Sequence, residues 1–381
     1  MKHSMESKPG TSQVSLVKCA DYEEERVNCA VARSIELIGG MNQYVKPGDK
    51  VLLKVNLLAA GEGVYTHPSV VKAVIGLVKD VGGVPIVSDT PGILHAGKGA
   101  VNAITDSGLK AVAEEAGVEA FQLETRGFVE VLVPGGKKLK SIYVAKTALE
   151  ADVIISMSKL KTHGLTMFTG AVKNMFGVVP PRTRMIAHAL GRCEDFSEAL
   201  VDIYSVVKPG RVIMDGVIGM EGNGPRHGNL KPVGVIMASG DGVALDAVAS
   251  RVIGFEPMEI HTTRAATNRG LGNGDLNRIK VMGEKISDVE TTFKKPSSWQ
   301  RNIPPRIMSF ISRLIYIRLQ ANIEKCIQCG ICEKNCPVGA MHLTPYPTVD
   351  TEKCIQCYCC HELCPEGAII MNRSWLARRI G

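Results

Sequence analysis

Val153-Ile-Ile-Ser-Met157 is apolar but for one serine and passes directly into Ser158-Lys-Leu-Lys-Thr-His163. So short an apolar run, rich in β-branched residues at consecutive positions, reads as a strand covered on both faces. Such strands belong to parallel sheets, whose crossover helices lie on either side. The surrounding chain agrees. Apolar runs recur at Val51–Val55, Pro85–Ser88, Val212–Met214 and Val233–Ala238, with a further strand expected near Val118. Between them, His67–Val81 repeats Val70, Val71, Val74, Ile75 and Val78 at three- and four-residue steps and stops at Gly82-Gly83. That spacing predicts a helix, and Gly108–Ala116 and Val243–Ile253 read as two more. Strands and helices in alternation imply βαβ units. Residues 1–293 are therefore expected to form an α/β domain, a mostly parallel open sheet with helices on both faces.

In open sheets of this kind, ligands sit beyond the carboxyl ends of the strands. Ending the first-quoted strand at Met157 releases Lys159, Lys161 and His163 into a loop at that edge. A short helix starting near Thr169-Gly170 carries Lys173 and Asn174. Three lysines and a histidine suit an anionic ligand, a carboxylate or a phosphate. The plainer alternative is a solvated loop and an ordinary helix face. His163 and Lys173 are the catalytic candidates, with His163 as proton donor. Lys159, Lys161 and Asn174 are ligand-binding candidates, joined by Lys54 and Asn56 at one strand end and Asp89 at another. Asp215-Gly-Val-Ile-Gly-Met-Glu-Gly-Asn-Gly-Pro225 reads as a glycine-rich loop that adds Asp215, Glu221 and Asn223. It is neither a Walker loop nor a dinucleotide fingerprint. Asp241 reads as a helix cap, and His188, in a polar loop, as a weaker acid/base candidate.

From Lys294 the composition changes. Lys294–Pro305 contains three prolines, and the apolar Arg306–Leu319 is expected to be a helix packing one domain onto the other. Residues 294–320 are thus linker and packing helix, and 321–381 a separate module. Nine of the chain's 12 cysteines lie in that module. Lys325-Cys-Ile-Gln-Cys-Gly-Ile-Cys-Glu-Lys-Asn-Cys-Pro-Val-Gly-Ala is echoed 28 residues later by Lys353-Cys-Ile-Gln-Cys-Tyr-Cys-Cys-His-Glu-Leu-Cys-Pro-Glu-Gly-Ala. Both halves fit C-x2-C-x2-C-x3-C-P. Three cysteines at two-residue intervals wrap one corner of a cubane, and the fourth points to the other cluster. Cluster one then takes Cys326, Cys329, Cys332 and Cys364; cluster two takes Cys354, Cys357, Cys360 and Cys336. Two structural zinc sites would also use eight cysteines, but they do not require a third cysteine two residues on or a Cys-Pro close. Cys359 breaks the spacing and is read as a spare thiol. The pattern resembles bacterial ferredoxins with two [4Fe–4S] clusters, which implies a small α+β domain and electron transfer.

Ser158–His163, Thr169-Gly-Ala-Val-Lys-Asn-Met-Phe-Gly177 and Asp215–Pro225 together resemble a prokaryotic family known as domain of unknown function 362. Its members often carry a C-terminal ferredoxin. The resemblance spans most of residues 14–290 and implies that the Lys/His segment and the glycine-rich acidic stretch face one site. It supplies no settled reaction.

The net charge of +7 is spread along the chain, with no basic tract interleaved with aromatics, so nucleic-acid binding is set aside. No apolar stretch approaches the ~18 residues of a spanning helix. Without an export signal, clustered cysteines indicate reduced thiols holding metal in the cytoplasm. Two function classes follow. One is an oxidoreductase or electron-transfer protein whose clusters serve an anionic-ligand site, working with a redox partner protein. The other is a binding module whose α/β domain docks a partner or ligand while the ferredoxin relays electrons.

Overall fold

The computed structural model describes residues 11–58, 61–91, 103–226, 228–296, 314, 317–355, 359–362 and 364–375. Eleven strands fall before the linker: β1 Ser12–Lys18, β2 Lys50–Lys54, β3 Val84–Asp89, β4 Glu119–Gln122, β5 Phe128–Leu132, β6 Ser141–Ala145, β7 Val153–His163, β8 Met167–Thr169, β9 Arg211–Glu221, β10 Asn229–Ser239 and β11 Ile279–Gly283. Nine form one open sheet in the order β11-β1-β10-β9-β7-β2-β3-β4, with β8 hairpinned onto β7. The run β9-β7-β2-β3-β4 is parallel throughout. Antiparallel pairing enters where β10 joins β1 and β9, and at β8. The strands β5 and β6 make a separate hairpin.

Alternation along the strands places neighbouring residues in different cores. On β9, Ile213 and Val217 pack with Val31 and Val74, whereas Val212 and Met214 pack with Leu245 and Val248. Helices Glu24–Glu36 and Pro68–Asp80 therefore cover one face, and Gly242–Val252 the other. Helix Cys193–Val206 buries Phe196, Ala199, Leu200 and Ile203, one stripe of a 3.6-residue repeat, in a core that also takes Leu52. Phe196, Leu200 and Ile203 each contribute about 1.5–3 kcal/mol of burial. The expected helix at His67–Val81 runs Pro68–Asp80, with His67 Nδ1 accepting the Ser69 N–H and proline at the first position.

Two expectations are corrected. The strand expected to end at Met157 continues to His163, so Lys159, Lys161 and His163 lie on β7 and are buried, not in a loop. Pairing explains the extension: Lys161, Thr162 and His163 face Thr169, Phe168 and Met167 of β8, and Lys159 and Lys161 face Asp215 and Met220 of β9. These ladders satisfy backbone groups that would otherwise need solvent. For the same reason the glycine-rich stretch is strand as far as Glu221, paired with β10.

In the C-terminal module, β12 Ile317–Ala321 pairs antiparallel with β15 Ile369–Arg373, and β13 Met341–Leu343 with β14 Pro347–Val349. Two four-residue helices, Ile331–Lys334 and Cys359–Glu362, complete it. Most of the expected helix Arg306–Leu319 lies outside the described residues; its end, Ile317–Leu319, is strand because it pairs with β15. Among the described residues no helix is long and apolar enough to cross a membrane.

Candidate functional site

The carboxyl ends of β2, β3 and β7 meet the short helix Ala171–Asn174, and the sequence candidates there sort into engaged and unengaged groups. Lys54 Nζ lies 2.8 Å from Asp89 Oδ1, both side chains buried, and also donates to the Val55 carbonyl at 2.7 Å. Asp89 Oδ2 accepts the Leu57 N–H at 2.7 Å. Gly177 packs directly on this pair: a Cβ there would sit 2.1 Å from Asp89 Oδ1. Asn174 ties the layer together. Its Oδ1 accepts from Asn56 Nδ2 at 3.1 Å, and its Nδ2 donates to the Lys54 carbonyl at 3.1 Å and to Ser156 Oγ at 3.0 Å.

Lys159 makes the second pair, 2.8 Å from Asp215 Oδ2. Asp215 Oδ1 also accepts the Tyr22 hydroxyl at 2.8 Å, and Oδ2 the His67 N–H at 3.0 Å. Tyr22 stacks on His67 with ring centroids 3.6 Å apart. Burial, then the Asp215 charge, pushes the Tyr22 phenol up, and burial lowers His67. Burial likewise lowers Lys54 and Lys159 against the raising influence of their aspartates. Both pairs are parts of the frame, holding strand ends in register.

Lys161 and Lys173 have no carboxylate partner among the described residues. Lys161 Nζ donates to Asn56 Oδ1 at 2.7 Å and to the Val64 carbonyl at 2.6 Å. Burial, then the Lys173 and Lys159 charges, holds it well below its ordinary value. Lys173 is half-buried and, among the described residues, has neither a hydrogen-bond nor an ion-pair partner; its Nζ stands 5.6 Å from the Phe176 ring centroid. Desolvation, then the Arg184 guanidinium, lowers it to about 7. Arg184 is fixed by carbonyls: Nε to Val179 at 3.0 Å, the two terminal nitrogens to Pro91 at 2.9 Å and Gly177 at 3.0 Å.

Two histidines complete this group. His163 Nδ1 accepts the Leu165 N–H at 3.2 Å, which puts the ring proton on Nε2. His188 is not in a loop but on helix Pro181–Ala189, formed because Pro181 opens it. Its Nδ1 donates to the Arg184 carbonyl at 2.8 Å, leaving Nε2 an acceptor. Burial, then Lys173, holds His163 well below its ordinary value. Burial, opposed by the Arg184 carbonyl and aided by Lys173, brings His188 to about 4. Both rings pack on Phe196, with centroids at 6.4 and 4.5 Å. Arg184 and Phe196 lie outside the motifs read from the sequence, and Phe176, inside the Thr169–Gly177 stretch, carries no local sign of its role.

Other candidates are employed elsewhere. Glu221 accepts the Lys294 N–H at 3.0 Å and lies 3.5 Å from Lys231 Nζ. Asn223 is exposed. The glycines beyond it serve close packing: a Cβ on Gly224 would sit 2.3 Å from the Thr162 carbonyl oxygen. Asp241 caps helix Gly242–Val252, as expected, accepting the Val243 and Ala244 N–H groups. Asp246, on the same helix, accepts the Ala171 and Val172 N–H groups at 2.6 and 3.1 Å, and burial raises it to about 7.

In the C-terminal module, Cys326, Cys329, Cys332 and Cys364 line one hollow with Ile327, Gln328 and Gly330. The Ala368 N–H donates to Cys364 Sγ at 3.2 Å and the Ala340 N–H to Cys336 Sγ at 3.1 Å, a polarity that suits thiolates. Four thiols around one hollow fit a cubane cluster as a donor set. Cys336 and Cys360 pack in the module's core, and Cys354 is half-buried. Cys357 lies outside the described residues. The loop after Cys354 seats on the α/β domain: Ile355 is buried in its core, its carbonyl accepts the Arg182 N–H at 3.3 Å, and the Arg182 guanidinium donates to the Glu352 carbonyl at 2.8 Å and to that of Cys354.

A family model described as a domain of unknown function, DUF362, matches residues 51–251, and a 4Fe-4S dicluster domain model matches residues 325–368. The chain belongs to the DUF362 family. The family is uncharacterised; the 4Fe-4S domain makes this DUF362 member an iron–sulfur electron-transfer protein with a ferredoxin module. A relative, Thylakoid-associated protein sll1697 from Synechocystis sp. (strain ATCC 27184 / PCC 6803 / Kazusa), is 35% identical over 269 residues, covering 68% of this chain and 79% of that protein. Among solved structures, the lactate racemase apoprotein from Thermoanaerobacterium thermosaccharolyticum aligns with TM-score 0.41 and 10% identity over 64% of this chain and 57% of that one. A loganic acid methyltransferase aligns at TM-score 0.23. At such scores neither bears on the site.

Proposed function

We propose that this DUF362 protein is a cytoplasmic, ferredoxin-linked oxidoreductase with two [4Fe–4S] clusters, in which electrons pass between the cluster module and a small anionic ligand held beside Lys173. The supporting observation is one helix with two jobs. Pro181–Ala189 carries Arg182, which grips the Cys354–Ile355 loop, and also Arg184 and His188, which stand beside Lys173. His188 lies six residues along the helix from Arg182, about 9 Å of axial rise. Held by the cysteines, a [4Fe–4S] cluster supplies electrons one at a time. Lys173, Lys161 and Arg184 bring three basic groups together, and His163 Nε2–H supplies a donor.

Cluster one takes Cys326, Cys329, Cys332 and Cys364, and cluster two takes Cys354, Cys357, Cys360 and Cys336, so the second faces the α/β domain. The exposed Cys329 and the 62% exposed Ile327 leave the first accessible to a redox partner protein. The thylakoid-associated relative suggests that such a partner sits at a membrane surface.

The test is reductive titration with EPR on anaerobically reconstituted protein, using pyruvate as an anionic probe. Two reducible clusters are expected, with pyruvate shifting the signal of one, and Arg182→Ala disturbing that same signal. Clusters that accept no electron would sink the electron-transfer reading. Reducible clusters indifferent to both probe and variant would instead make the α/β domain a docking module.

A further inference from the structure

Anion binding alone does not account for how Lys173 is placed. Lys54 and Lys159, buried at the same end of the sheet, are each matched to an aspartate. Lys173 shares the Phe176 ring, at 5.6 Å, with the Arg184 guanidinium at 5.9 Å and the His188 ring at 5.6 Å, and His188 and His163 both pack on Phe196; the two imidazoles are of opposite tautomer, with Nε2–H on His163 and a lone pair at Nε2 on His188. A binding cation gains nothing from two neutral imidazoles of complementary tautomer. An amine that must shed protons and form a covalent bond does.

We propose that Lys173 Nζ is a nucleophile that forms an imine with the carbonyl carbon of a small 2-oxo acid, whose carboxylate is drawn by the Lys161 and Arg184 charges. The proposal rests on the anionic-ligand reading above and adds a covalent step to it. The neutral amine attacks the carbonyl carbon; the C–N bond forms as the C=O π pair moves to oxygen, which takes a hydrogen bond from His163 Nε2–H. His188 Nε2 accepts a proton from the new ammonium nitrogen and returns it to the oxygen, giving a carbinolamine. The remaining N–H proton follows the same route as the nitrogen lone pair forms C=N and the C–O bond breaks. Amine and carbonyl thus give imine and one water, with no oxidant or reductant consumed. Desolvation and an adjacent cation are the two means by which proteins free a lysine amine for such chemistry, and the lowering of Lys173 to about 7 follows from both.

The experiment uses the reconstituted full-length protein, pyruvate and cyanoborohydride, followed by peptide mass spectrometry, with pyruvate binding measured separately by calorimetry. Expected is a reduced carboxyethyl adduct on the peptide carrying Lys173, at least tenfold above that on any surface lysine. Lys173→Arg keeps the charge and should retain binding while losing the adduct. A His188→Gln variant should bind but form the adduct at least tenfold more slowly. Binding without an adduct at Lys173 overturns the imine and leaves the anionic site standing. Absence of both overturns the two together, and labelling spread evenly over surface lysines also overturns the imine.

Discussion

A lysine kept for function should cost the fold something, and Lys173→Met measures that cost. Methionine matches the lysine stem in length and apolar character and carries no charge. In the native protein the Lys173 amine titrates at about 7 rather than 10.5. Each unit of pKa is worth about 1.4 kcal/mol, so holding the charged form in place costs about 2–4 kcal/mol once screening at its exposed side is allowed for. The unfolded chain protonates this amine below 10.5 and the folded chain only below about 7. The penalty is therefore complete below pH 7, shrinks as pH rises, and vanishes above 10.5. Lys173→Met should raise the unfolding free energy of the α/β transition, from urea denaturation followed by circular dichroism, by that amount at pH 6.5, and the gain should fall steadily towards pH 10. A variant less stable than the parent by more than about 1 kcal/mol, or a gain independent of pH, would show that Lys173 has a stabilising partner and would refute the reasoning.

The engaged lysines should behave in the opposite sense. Asp89→Asn leaves Lys54 buried without its charge partner and should destabilise by about 3–5 kcal/mol in the same denaturation assay. Gly177→Ala drives a Cβ into Asp89 Oδ1, at 2.1 Å, and should cost about 1–3 kcal/mol with loss of the Lys54–Asp89 geometry in a crystal structure. For the clusters, Cys364→Ala should abolish the EPR signal of the cluster held by Cys326, Cys329 and Cys332, and Cys336→Ala that of the other. The reverse pattern would disprove the crossed assignment.

What could be read from the chain was whatever depends on neighbours in sequence. The apolar runs at Val51, Pro85, Val153 and Val212 and the valine stripe of Pro68–Asp80 are local patterns, and the structure places strands and a helix on them. The four cysteines around one hollow follow from a spacing confined to a few dozen residues. The strand end at Met157 was misread because lysines look like solvent-facing residues until their partners are known. Asp215 lies 56 residues from Lys159, and Asn56 lies 105 from Lys161. Nothing local announces that these ammonium groups will be matched inside the sheet. Arg184 was invisible for a related reason: its acceptors are backbone carbonyls, which every sequence has.

Burial and pairing together then separate four lysines that look alike in the sequence. Lys54 and Lys159 have carboxylates, and removing either partner exposes an uncompensated charge. Among the described residues Lys161 has neutral oxygens, from Asn56 and Val64, as its acceptors, and burial holds it well below its ordinary value. Among the described residues Lys173 has none of these, and its helix is anchored through Asp246 on one side while Phe176 and Arg184 crowd it on the other. A fold that neutralised two lysines with buried aspartates had the means to neutralise a third. That it surrounds the third with a cation, a ring and two oppositely tautomeric imidazoles is the pattern expected where reactivity, rather than stability, sets the residue choice. The Arg182 contact to the Cys354 carbonyl then makes sense of the fusion, because it fixes a redox module against the helix that carries Arg184 and His188.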